Sequence, residues 1–155
     1  MRGALASLMV AGLALAACDR PTESEEGQAV VARTAESDLP AWLSPTDGTD
    51  PARWLAGREA GHPVPAGSDA VRALQDALAE ARTVFIEDPR MIANRTAQLG
   101  QMLAEIGKTE RSASLLTGFS AVAARLGRHK SLYGEMCQHY FNTRARGIDH
   151  AAALA

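Results

Sequence analysis

The chain has 155 residues and 16.4 kDa, with 46% hydrophobic, 5% aromatic and 22% charged residues and a formal net charge of −2. That length holds one modest domain and excludes a multidomain architecture. The near-neutral balance, with pI ≈ 6.1, gives no electrostatic footprint for nucleic acid, and the apolar content is too high for a wholly disordered chain.

Arg2 is followed by fifteen uncharged residues, Gly3 to Ala17. A bilayer-spanning helix needs about 20 apolar residues, so this run fits the apolar core of an export signal and is excluded from fold reasoning. It ends in Leu15, Ala16, Ala17 and Cys18, followed by Asp19. This segment resembles the bacterial lipoproteins, whose lipobox is a Leu, two small residues and a Cys. The resemblance covers residues 1–19 and implies a diacylglycerol on the Cys18 sulfur, cleavage just before it, and often acylation of the new amine. Cys18 would then be the whole membrane attachment, on the periplasmic side of the cell envelope; two or more acyl chains anchor stably where one does not. In enteric members of that family an Asp after the Cys goes with retention at the inner membrane, which Asp19 matches.

With Cys18 set aside, Cys137 is the only other cysteine, so no intramolecular disulfide is available. In an oxidising compartment Cys137 is buried, paired between chains or reactive, and burial is the expectation. Residues 18–68 read as the lipidated N-terminus and a mostly disordered acidic tether, with nine acidic and four basic residues from Asp19 to Ser68. As a flexible coil it would hold the domain roughly 35–45 Å from the lipid. Within it, Pro40-Ala41-Trp42-Leu43 is echoed by Pro51-Ala52-Arg53-Trp54-Leu55. Asp50-Pro51 favours a turn or two of helix over 51–58. Trp42 and Trp54 either anchor a partner or fold back onto the domain, and burial is the expectation.

Residues 69–155 read as an all-α domain, a small antiparallel bundle of about four helices. Val71, Leu74, Leu78, Ala81 and Phe85 mark a first helix over 69–87, capped by Ser68. Asp88 and Pro89 open a second, with Ile92, Leu99, Leu103 and Ile106 inward and Gly107 as its stop. Thr109 can cap a third, with Leu115, Phe119, Val122 and Leu126 inward and Gly127 at its end. A fourth spans about 129–146, with Leu132, Tyr133, Met136, Cys137, Tyr140 and Phe141 inward, and Asp149 can cap a last turn. Connections of one to four residues make successive helices antiparallel.

No phosphate loop, nucleophile elbow or paired-Cys metal motif is present, so no cofactor, catalytic residue or metal ligand is assigned. Glu135 and His139 share a helix face and, with His129, are the materials for a metal site; Cys137 and His139 point apart, so a thiol enzyme would need a base from another helix. Between Lys108 and Arg146 seven basic residues face two acidic ones. Several fall in final helical turns, where they offset the helix dipole; otherwise they form a basic patch for an anionic partner. Asn94-Arg95-Thr96 fits a glycosylation acceptor and is set aside for its helical setting.

The expected function is a lipid-anchored helical interaction or scaffold module with an envelope protein partner. Its possible partner contacts are Trp42, Trp54, Arg125, Arg128, Lys130, Arg144 and Arg146. The alternatives are a binder of a small apolar or anionic ligand between helices, near Tyr133, Tyr140 and Phe141, and a thiol- or metal-dependent enzyme.

Overall fold

The computed structural model describes residues 39–127 and 129–155. They form an all-helical bundle: α1 (Pro51–Ala60), α2 (Asp69–Val84), α3 (Pro89–Glu105), α4 (Ser112–Leu126), α5 (Tyr133–Ala145) and the short α6 (His150–Ala153). Local chemistry sets most of these boundaries. Asp50, Ser68, Asp88 and Asp149 each cap the helix that follows with a side-chain oxygen, and Pro51 and Pro89 occupy first-turn positions where no N–H is needed. Gly107, at φ 68°, lets α3 close with Lys108 N–H donating to Leu103 O (2.9 Å) and Gly107 N–H to Ala104 O (3.0 Å).

The chain runs up and down as its short connections require, yet among α2 to α5 the closest partners are not successive helices. α2 lies chiefly along α4 and α3 along α5, so each close pair is parallel. The core is built from Leu, Ile, Val and Ala together with an aromatic chain. Phe85 meets Tyr133 edge-on at 5.0 Å, Tyr133 meets Phe119 at 5.6 Å, and Phe119 meets Tyr140 at 5.2 Å. Tyr133 and Tyr140 are therefore core side chains, not the walls of an open cleft.

Folded structure is already present at Leu39, thirty residues before the Asp69 start that the composition suggests. Residues 39–68 are not a leash along their described length. Leu43, Ala52, Trp54, Leu55, Ala56 and Gly57 are buried, and α1 packs against α2 and α3. Asn94, fully buried on α3, clamps the entry segment: its Oδ1 accepts from Leu43 N–H and its Nδ2 donates to Leu43 O, both at 2.9 Å. Trp54 Nε1 donates to Pro40 O at 2.7 Å. Residues 18–38 of the proposed tether, with Cys18 and Asp19, lie outside the described residues.

Two other boundaries differ. Thr109 does not cap α4; the cap position is Arg111, which makes no side-chain cap bond, and Glu59 of α1 reaches across to accept from Ser112 N–H at 3.1 Å. α5 begins at Tyr133, not near 129, because the residues before it run extended and pair with the end of α2. Ser131 N–H donates to Val84 O (2.9 Å) and Ile86 N–H to Ser131 O (3.1 Å), a parallel bridge between Phe85 and Ser131. Glu87 then caps α5, accepting from Tyr133 N–H (2.9 Å) and Gly134 N–H (3.1 Å). Both carboxylates sit at helix N-termini, where the dipole favours negative charge.

Candidate functional site

One end of the bundle gathers exposed apolar side chains. There α2 and α4 finish while α3 and α5 begin. The Phe85–Ser131 bridge fixes the geometry: side chains alternate along extended backbone, so with Phe85 buried its neighbour Ile86 points outward, and Leu132 stands beside it on the paired segment. Ile86 is 64% exposed and Leu132 42%. Leu126, the last residue of α4, is 72% exposed, and Trp42, held beside the first turns of α3 by the Leu43–Asn94 clamp, is 47% exposed. Of the six large apolar side chains exposed among the described residues, four belong to this end. Ile106 and Ile148 belong to the opposite one.

This corrects the inward assignment of Leu126, Leu132 and Ile106. Helical periodicity continues the inward stripe through Leu126, but α5 starts too late to cover it, and Leu132 belongs to the extended segment that flips it to solvent. Lys130 and Arg82 flank the apolar group. Lys130 Nζ donates to the Arg82 carbonyl at 2.8 Å, and neither side chain forms an ion pair among the described residues. The end is thus apolar, with Lys130 and Arg82 as cations outside any ion pair among the described residues and the exposed Asp88 paired with Arg90 at 3.4 Å.

The remaining cations do not join a single basic patch. Arg144 is buried at 7% exposure, donating to Glu110 Oε1 at 2.6 Å and to Ile148 O at 2.8 Å, with its guanidinium 5.9 Å from the Tyr140 ring centroid. Glu110 Oε2 also faces His150 Nδ1 at 3.4 Å, and that nitrogen shares a 2.7 Å hydrogen bond with Tyr140 Oη. Burial and the Glu110 charge push the Tyr140 hydroxyl up to about 12. This buried network ties α6 and the α3–α4 turn to α5, so Arg144 is not a partner contact. Arg125 turns back along α4 to donate to Leu154 O at 2.8 Å, Arg146 is exposed, and Arg128 lies outside the described residues.

Trp54 is likewise removed as a partner contact, being fully buried and hydrogen-bonded, whereas Trp42 remains accessible. Cys137 is a half-buried free thiol pushed up to about 12 by burial, so it is a neutral thiol at physiological pH and not a ready nucleophile. His129, Glu135 and His139 are exposed. Among the described residues no three His, Cys, Asp or Glu side chains gather where a metal ion could be held, and no helix is long and apolar enough to cross a membrane. Sequence reasoning missed Ile86; its signal was the position just past Phe85, where the inward stripe ends before Asp88-Pro89.

Comparison with known proteins gives one positive result. The MoxZ family model matches residues 52–155, which include every helix except the first residue of α1. No curated protein and no solved structure matches the chain.

Proposed function

The chain belongs to the MoxZ family, and on that premise we propose that it is a lipid-anchored interaction module whose helical body docks an envelope protein through the Trp42, Ile86, Leu126 and Leu132 end. The observation that carries the reading is the outward pair Ile86 and Leu132 on the parallel bridge. Side chains of this kind, rigidly held and desolvated on contact, are the usual centre of a protein interface, while unpaired cations such as Lys130 and Arg82 belong to its rim. The partner surface that fits is apolar with an acidic border.

The anchor is proposed on the sequence. Leu15-Ala16-Ala17-Cys18 closes a fifteen-residue uncharged run, and diacylglycerol on Cys18 would keep the folded region beside a membrane on the periplasmic side. Asp19 favours the inner membrane. Twenty residues, Asp19 to Asp38, separate Cys18 from Leu39 and would set its reach.

Photo-cross-linking in the native cell tests the docking surface. A photoreactive residue at 86 or 132 should yield one discrete adduct, and the same residue at 106 or 148 none. Equal yields from both ends would overturn the assignment. Mass spectrometry of the mature chain tests the anchor independently: a bare Cys18, or a retained leader, would remove it while leaving the docking surface standing.

A further inference from the structure

Between the parallel helices α3 and α5 lies an open cavity of about 280 Å³. Arg95, Leu99 and Met102 line it from one side on a single helical face, and Gly134 and Cys137 from the other. Gly134 makes room for the cation: a Cβ there would fall 2.8 Å from Arg95 Nη1 and 3.0 Å from its Cζ, so the guanidinium lies directly over the α5 backbone.

The guanidinium lacks an adequate acceptor. Its Nε is buried without a hydrogen-bond partner, while the side chain as a whole is 38% exposed and open to the cavity. The nearest anion, Glu87 Oε1, is 3.8 Å from Nε, and both Glu87 oxygens already accept the Tyr133 and Gly134 N–H groups. A fork of donors beside a cavity, with its charge only partly offset, matches a planar carboxylate. The partly exposed Met102, packed over a Leu99 that is itself buried, offers apolar wall to a short tail, and the neutral Cys137 thiol does not repel an anion. One guanidinium shadowed by a glutamate is too little positive charge for a phosphate dianion.

We propose that this cavity binds a small aliphatic monocarboxylate, with Arg95 gripping the carboxylate and Met102 receiving the tail. The cavity adjoins the docking end through Gly134 and Glu87, but its reading does not rest on that of the docking end.

The test is an NMR titration of amide shifts in the whole mature chain with butyrate, 1-butanol and inorganic phosphate. Butyrate should shift the amides around 95–102 and 134–138 saturably in the millimolar range, while butanol and phosphate should not. R95M should weaken butyrate by at least about tenfold, the loss expected for one charge-assisted hydrogen-bonded pair. Should R95M fold poorly, Q98E places a competing carboxylate at an exposed lining position without touching the core and should weaken butyrate similarly. Absence of saturable shifts with butyrate, equal binding by butanol, tighter binding by phosphate, or undiminished binding in a folded R95M or in Q98E would each overturn the proposal.

Discussion

Asn94 offers the sharpest test of how the entry segment is held. The side chain is fully buried, and both of its hydrogen bonds go to one residue, Leu43, at 2.9 Å. Replacing it by Ala leaves Leu43 N–H buried with no acceptor, at a cost of about 1–3 kcal/mol. The Leu43 carbonyl keeps a weaker donor, Arg90 Nη1 at 3.3 Å. If the segment peels away instead, the penalty is replaced by loss of Leu43 burial, about 2 kcal/mol. The two routes together bracket about 1–3 kcal/mol, a large share of a typical domain stability of about 5–15 kcal/mol. Urea unfolding of N94A, read as a midpoint shift at constant slope, measures this directly. Hydrogen exchange should show the Leu43 amide protected in the parent and open in the variant. N94D keeps the acceptor but buries a charge, so it should be destabilised at neutral pH and recover as the carboxyl is protonated and becomes a donor. A shift below about 0.5 kcal/mol for N94A, the range of ordinary surface substitutions, would refute the clamp.

The two cross-element caps should differ in weight. E87A removes the acceptor for two N–H groups of α5 and should cost about 2 kcal/mol, while E59A removes one from a more exposed carboxylate and should cost about 1 kcal/mol; chemical denaturation ranks them. The tryptophans should separate by fluorescence: W42F, leaving buried Trp54, should emit to the blue of W54F, and W54A should lose about 3–5 kcal/mol where W42A loses little. Cys137 supplies a pH signature. Its pKa rises from 9.0 to about 12 on folding, so its contribution is intact below pH 9 and is lost as pH climbs toward 12 while the unfolded thiol ionises first. Between pH 9 and 10, before the raised Tyr133 and Tyr140 hydroxyls add their own losses, stability should fall with a slope approaching about 1.4 kcal/mol per pH unit, and C137S should flatten that part of the profile.

Much of the bundle was legible because its punctuation is local. Asp88-Pro89, Ser68, Asp149 and Gly107 each act within a few residues of their own helix, and the 3.6-residue stripe from Val71 to Phe85 needs no tertiary help to be seen. What escaped depends on distant partners. The Glu59 and Glu87 caps act across 53 and 46 residues, and the late start of α5 follows from pairing with the end of α2. The region 39–60 read as a tether because its buried face mixes two large side chains of α1, Trp54 and Leu55, with Ala52, Ala56 and Gly57, whose smallness permits close packing but contributes little hydrophobic signal. Leu39 lies against Gly57, where a Cβ would meet its Cδ1 at 2.8 Å, a contact no composition reading weighs. The exposed apolar end was half visible: Trp42 and Lys130 were named from sequence, whereas Ile86 and Leu132 are exposed only because the bridge turns them outward.

The most direct measurement of the docking claim is the size of the detergent-extracted native assembly on a blue-native gel, run beside charge-reversal variants whose melting temperatures match the parent. The parent and the I106E/I148E variant should migrate together as a complex larger than the chain alone, and I86E/L132E should run as the free chain. A complex that survives I86E/L132E unchanged, or one lost equally from both variants, would contradict the account.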